Sequence, residues 1–260
     1  MAAAPTASEL KNLCKKHKPA IVYLMETRCR EENVKKYARK LQFKNSFCVE
    51  PRDLSGSLCL LWNENINVSV YSWCQNYIIA NIKSNNNPAW KCGFIYGNPV
   101  FKQRRKTWQA LEESNDLEEE PSCLIGDFND ILCQEEKVGK HPKPLIQIEV
   151  FKNLVNKKNL MDLELKGNKF TWFSNPREGL VTRERLDRAM VNWKWRQAFS
   201  NASLTALPAI TSDHCPLILN LKPNRNVPRQ FKYEAYWDDK KECKEVVSKG
   251  WRTEDQEGGH

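Results

Sequence analysis

Four apolar runs rich in β-branched and aromatic residues stand almost back to back between residues 57 and 96: SLCLLW (57–62), INVSVYSW (66–73), YIIANIK (77–83) and WKCGFIY (90–96). Short turns bearing Asn, Pro or Gly separate them. Connections of that length join antiparallel neighbours, because a parallel return needs a much longer crossover. A chain containing such a block must build a sheet, and the segments on either side offer the helices to cover it. SELKNLCKKHK (8–18) spaces Leu10, Leu13 and Cys14 along one helical stripe, with Ser8 as N-cap and Pro19 as a stop. REENVKKYARKLQF (30–43) sets Val34, Tyr37, Ala38 and Leu41 at i, i+3, i+4 and i+7. FKQRRKTWQALEESNDLEEE and IQIEVFKNLVNKK predict two more helices, and WKWRQAF a short one. AIVYLM, SCLIG (122–126), KFTWF, RERLDRAMV and PLILNL predict further strands. Strands interleaved with helices over roughly 220 residues predict a two-layer or sandwich α/β architecture.

Composition narrows the partners. Forty-one basic against thirty-two acidic residues give a net charge of +9, which favours a polyanion such as nucleic acid or an anionic membrane surface. The ten cysteines contain no C-x-x-C pair, so they read as reduced, buried small hydrophobes rather than a zinc or redox motif. MAAAPTASEL followed by KNLCKKHKP lacks the apolar core of a signal peptide, and no later run reaches transmembrane length. The expectation is a cytoplasmic or nuclear protein without a membrane partner. No period of 20–50 residues recurs. After Leu221, KPNRNVPRQ reads as a linker and FKYEAYWDDKKECKEVVSKGW as a helical tail too short to bury itself. That gives one domain over 1–222 and a linker with tail over 223–260. The helix starting at Phe101 is basic at its start and acidic at its end, against its macrodipole. Tertiary packing or an anionic ligand near Arg104 and Arg105 must offset this.

Four polar clusters sit at the ends of short apolar strands: Glu26 after IVYLM, Asp127 and Asn129 after CLIG, Asp187 in RERLDRAM, and Asp213-His214 before CPLIL. Each has a bland explanation. Glu26 could be an exposed helix-entry carboxylate, GDFND an Asx turn, Asp187 a surface ion pair among Arg183, Arg185 and Arg188, and His214 a hydrogen-bonded structural residue. As a set they supply a hard-cation ligand, a candidate base, an amide donor and a carboxylate-histidine pair. A magnesium-dependent phosphodiesterase requires those parts. Convergence at strand ends is how a sheet fixes such groups.

The ordered series IVYLMET (21–27), IYGNP (95–99), LIGDFND (124–130), RLDRAMV (185–191) and SDHCPL (212–217) resembles the endonuclease/exonuclease/phosphatase superfamily, which includes DNase I and the apurinic-site endonucleases. Within it, the chain is most like the endonuclease domain of plant LINE-type retrotransposons, and the resemblance runs from about residue 8 to residue 251. It implies an α/β fold with four layers, in which two packed mixed sheets are flanked by helices. It also implies a monomer that nicks DNA with Mg²⁺ or Mn²⁺, basic residues around 102–106 and 183–188 contacting the phosphate backbone. By motif, Glu26 would bind the metal with Asp213 assisting, Tyr96 would line the phosphate site, and Asp127 would activate water. Asn129 would position the phosphate, Asp187 would orient His214, and His214 would stabilise the transition state. Family members usually open with a strand ending in W-N-x-x-G. MAAAPTASEL stands in its place, so the first strand is expected to be missing and a sheet edge exposed. The tail resembles the segment that joins such a domain to a reverse transcriptase, and no reverse transcriptase follows in this sequence. The resemblance leaves two other outcomes: an element-derived relict that binds nucleic acid with little turnover, and a phosphatase of small phosphoesters.

Overall fold

The computed structural model describes residues 4–27, 30–50, 57–85, 87–114, 119–174 and 181–222. Within them the block at 57–96 is divided between two sheets. The expected linker and tail at 223–260 lie outside the described residues. In chain order the elements are α1 (Ala4–His17), β1 (Ile21–Leu24), α2 (Glu31–Lys40), β2 (Asn45–Val49), β3 (Leu58–Trp62), β4 (Ile66–Cys74), β5 (Tyr77–Ser84) and β6 (Asn87–Tyr96). Next come α3 (Phe101–Glu113), β7 (Ser122–Asp127), a 3-10 turn at Gln134–Glu136, β8 (Lys137–Val138), α4 (Leu145–Lys157), β9 (Met161–Asp162) and β10 (Leu165–Lys166). The remainder is β11 (Trp172–Phe173), β12 (Arg183–Glu184), β13 (Asp187–Val191), α5 (Trp193–Ala198), β14 (Ser203–Ala206) and β15 (Leu217–Asn220).

The central sheet has six strands in the order β4-β5-β6-β7-β13-β9, antiparallel throughout except for the parallel pair β6 and β7. The expected meander therefore holds for three of the four runs. The first, SLCLLW, is β3, which lies between β1 and β2 in a separate three-stranded sheet. Its composition explains this. Leu58 and Leu60 face one core while Cys59 and Leu61 face another, so the run is apolar without alternation, as a strand covered on both sides must be. INVSVYSW alternates between buried and exposed positions along β4 and takes the sheet's edge. NSFCV, which carries no strong strand signal, completes the small sheet as β2.

Four layers follow from the clusters. Trp108 and Leu111 of α3 and Phe151 and Leu154 of α4 cover one face of the central sheet through Ile79, Ile95, Leu124 and Met190. The other face, through Ile78, Phe94, Cys123 and Val191, packs against the β1-β3-β2 sheet and a second small sheet, β10-β14-β15. Val34 and Ala38 of α2, with Cys14 of α1, cover the outer face of β3. Helix α1 begins at Ala4, so Ser8 lies inside it and is not its N-cap; Pro5 falls in the first turn, where proline is tolerated.

The layer opposite the central sheet is split. Tyr23 of β1 stacks on Phe94 of β6 (ring centroids 5.3 Å), and β15 packs over β13. Strands β6 and β13 flank β7, so β1 and β15 pack over the two neighbours of β7. Among the described residues no strand pairs with the free edge of either. Cover is thinner only over the middle of β7: Ile125 is half-buried, whereas Cys123 on the same face and Leu124 on the opposite face are fully buried.

Candidate active site

Register brings the first three groups into a row. Tyr96 ends β6, Asp127 ends β7 directly beside it, and Asp187 opens β13 directly opposite Asp127. Two carboxylates facing each other across a ladder repel, and both are buried. The opposing layer supplies the compensation. His214 precedes β15 and wedges between them, its Nδ1 2.9 Å from Asp187 Oδ2 and its Nε2 3.9 Å from Asp127 Oδ2. Burial alone would lower the imidazole. The hydrogen bond and charge of Asp187, with Asp127 and Asp213 adding, outweigh it and hold His214 up at about 9. Asp127 is pushed up to about 7, first by burial and then by the charge of Asp187, with His214 pulling the other way and Glu26 adding to the rise.

The GDFND turn locks Asp127. Gly126 sits at φ +142°, and a Cβ there would lie 2.1 Å from the Ile95 carbonyl oxygen, so no larger residue fits between β7 and β6. Asn129 adopts φ +52°, its backbone N–H donates to Asp127 Oδ1 (2.7 Å), and its Nδ2 donates to Asp127 Oδ2 (2.8 Å) and Gly97 O (2.7 Å). The Asx turn and the candidate base are therefore one structure. Both amide hydrogens of Asn129 are taken within the protein, so a bond to phosphate requires exchanging one of them. Lys143 Nζ pins the turn from outside by donating to Asn129 O (2.9 Å) and Glu184 Oε2 (3.1 Å).

Glu26 follows β1 at φ +51° and accepts a hydrogen bond from the Tyr96 hydroxyl. It therefore joins the row from the other layer. Asp213 does not. It is exposed, its Oδ2 accepts from Trp172 Nε1 (3.0 Å), and it stands outside the group of Asp127, Asp187 and His214, whose ligand atoms lie within 4.8 Å of one another.

Several supporting residues escaped the sequence. Thr171 Oγ1 accepts from the backbone N–H of both Leu186 (3.1 Å) and Asp187 (2.9 Å). Phe173 N donates to Asp213 O (2.9 Å) and Cys215 N to Thr171 O (2.7 Å), so β11 clamps His214 from both sides. The Tyr23 hydroxyl is buried without a hydrogen-bond partner among the described residues, and burial followed by the charge of Asp127 pushes it well up. Only a threonine or tyrosine among apolar neighbours hinted at these roles. The basic clusters need correction. Arg104 is 2% exposed and bound to Asp130 (2.7 and 3.0 Å), to Asn98 O and Pro99 O, and to Gln147. Its charge is offset within the protein and not by a ligand. Arg188 is buried against Glu136 and Asp162, and Arg185 joins the same group. Lys102, Arg105, Lys106 and Arg183 remain exposed.

The sequence matches the Endonuclease/Exonuclease/phosphatase family over residues 2–214. The chain belongs to that family. Its fold is shared with the endonuclease domain of TRAS1, a telomere-specific non-LTR retrotransposon, at TM-score 0.61 and 13% identity over 84% of this chain and 93% of that one. The 3′ phosphatase NExo from Neisseria aligns at TM-score 0.58 and 17% identity, covering 84% and 94%. An AP endonuclease from Archaeoglobus fulgidus aligns at 0.58 and 12%, covering 82% and 93%. Identities this low carry the architecture and leave the substrate open. No curated protein matches the chain. As a member of this family the chain is a hydrolase of the nuclease and phosphatase type, and the family generally depends on a divalent metal. The residues fit such an ion. Asp127 and Asp187 with Glu26 concentrate more negative charge than His214 balances, which adds to the burial that raises Asp127, and oxygen donors suit hard cations. No described helix is long and apolar enough to cross a membrane.

Proposed function

We propose that this family member is a divalent-metal-dependent phosphodiesterase that nicks DNA as a monomer. The observation that carries the reading is the Asp127-His214-Asp187 arrangement at the shared end of β7 and β13, with Glu26 and Tyr96 beside it. Asp127 near 7 is matched to accept a proton from an attacking water at neutral pH. His214, kept as imidazolium by Asp187, offers positive charge and a proton to an oxygen of the phosphoryl group as negative charge develops. Asn129 and Tyr96 border the space where that group would sit. Glu26 would hold Mg²⁺ or Mn²⁺, which when bound supplies charge neutralisation at the phosphate, leaving Asp127 as the base and Asp187 as the partner of His214. The net charge of +9 and the exposed Lys102, Arg105, Lys106 and Arg183 favour a polyanionic backbone over a small phosphoester.

Supercoiled plasmid nicking tests this. Nicking should require Mg²⁺, stop with EDTA, and fall by roughly 10²–10⁴-fold in Asp127→Ala; nicking that survives Asp127→Ala rejects the assignment. The thin cover over β7 favours a second reading, a relict that binds DNA without cutting it. Salt-sensitive binding with no Mg²⁺-dependent nicking would select that reading.

A further inference from the structure

Cys48 of β2 and Cys59 of β3 are directly opposite each other in an antiparallel ladder. Opposed residues in such a ladder have Cα atoms roughly 4.5–5.5 Å apart, inside the span of about 4.4–6.8 Å that a disulfide bridges. Both side chains point to the outer face, among Val34, Ala38 and Leu61, and the two thiols hydrogen-bond each other. Cys48 is half-buried and Cys59 buried. We propose that Cys48 and Cys59 form a redox-modifiable dithiol that a hydroperoxide converts to a reversible cross-strand disulfide.

The chemistry closes with hydrogen peroxide as the oxidant. The Cys48 sulfur, the more accessible of the two although its hydrogen bond to Cys59 and its burial raise its pKa, attacks the O–O bond as its proton passes to the departing oxygen, giving a sulfenic acid and releasing one water. Cys59 then attacks the Cys48 sulfur, forming the S–S bond and expelling the sulfenic oxygen as a second water. Two thiols and one peroxide become one disulfide and two waters. Cys59 suits the second step because hydrogen bonds from Cys48, Thr27 and Ser57 lower its pKa despite its burial. Closure removes the Cys59 thiol that Thr27 and Ser57 contact, and Thr27 adjoins Glu26, so the modification falls at the root of the candidate site.

The molecule contains its own control. Cys92 of β6 and Cys123 of β7 are also directly opposite, but both are sealed in the core, at 1% and 0% exposure. The folded full-length protein is treated with hydrogen peroxide, its free thiols are alkylated, and disulfide-linked peptides are identified by mass spectrometry before and after dithiothreitol. The expected result is loss of two free thiols, a Cys48–Cys59 linkage reversed by dithiothreitol, and its absence in Cys48→Ser, a substitution at a half-exposed site that leaves the fold in place. Cys92 and Cys123 should stay reduced in the same sample. The proposal is overturned if Cys48 proceeds to sulfinic acid or another partner while Cys59 stays free, or if both pairs oxidise at the same rate, which would mean that unfolding controls the reaction.

Discussion

Replacing Asp187 with Asn tests the electrostatic core of the site, because the amide keeps the shape and removes the charge that holds the imidazolium. His214 is raised from its ordinary 6.5 to about 9. At about 1.36 kcal/mol per pH unit this is an upper bound of ~3.4 kcal/mol favouring the protonated ring. Asp187 supplies the largest upward contribution, ahead of Asp127 and Asp213, so Asp187→Asn should lower the His214 midpoint by at least about one pH unit, ~1.4 kcal/mol. The sign for stability follows from the raised value. The stabilisation is fully present below 6.5 and is lost as pH rises through about 9. Asp127, also raised, loses its own contribution as pH rises from 3.8 to about 7, and removing Asp187 relieves part of that loss. The deficit of Asp187→Asn relative to wild type should therefore be greatest on the acid side of pH 6.5, before the relief at Asp127 is complete, and shrink towards pH 10. Histidine ring NMR on EDTA-treated protein reads the midpoint directly among four histidines, with His214→Gln assigning the resonance, and urea denaturation across pH reads the stability. A wild-type His214 that titrates near 6.5, or one unmoved by Asp187→Asn, would refute the reasoning.

Asp130→Ala leaves Arg104 and the Trp108 indole N–H facing a lost partner in the interior, and should cost about 3–5 kcal/mol in urea denaturation, while Arg104→Met with Asp130→Leu recovers most of it. Gly126→Ala forces a Cβ to 2.1 Å from a backbone oxygen at φ +142°, so it should cost more than about 3 kcal/mol and displace Asp127; a melting temperature within a few degrees of wild type would contradict the packing described. Leu124→Ala and Ile125→Ala report on the two faces of β7: the former should cost about 2–5 kcal/mol, and the latter less than half as much because its strip is thinly covered. Equal costs would mean that something in solution fills the strip. Mg²⁺ should raise the melting temperature of wild type, by about 2.7 kcal/mol of added stability at a hundred times its Kd, and fail to do so in a Glu26→Gln, Asp127→Asn double variant.

The sequence marked the residues that converge better than it marked the framework that holds them. Asp127, Asp187 and His214 were legible because charged residues at the mouths of apolar strands are costly unless they are paired there, and the pairing was found. The alternation of apolar runs with amphipathic helices made a layered α/β architecture legible, while the count of four layers came only from the resemblance to the superfamily. The division of 57–96 between two sheets was not, because turn length specifies local neighbours while β3 is claimed by β1 and β2, which lie before it in the chain. Strands β8 to β12 are two residues each and have no period to detect. Arg104 and Arg188 misled for a related reason: a guanidinium reads the same whether its carboxylate is Asp130, 26 residues away, or a phosphate.

The split in the outer layer raises the question of how a site fed by both layers keeps its geometry. Its two outer contributors are anchored differently, and neither depends on the open edges. His214 is gripped by β11 through the Phe173–Asp213 and Cys215–Thr171 backbone bonds, and Thr171 also fixes the start of β13 at Asp187. One threonine thus ties both members of the ion pair to the same short strand. Glu26 is tied to the central sheet by Tyr96 and to β3 by the backbone bond from Thr27 to Ser57. The unpaired edges of β1 and β15 therefore bear on the stability of the strip over β7, while the distances among Asp127, Asp187 and His214 are set by β7, β13 and β11. The geometry of the Asp127-His214-Asp187 group and the completeness of the sheet edges are separable, so substitutions at Ile125 should move stability without moving the His214 midpoint.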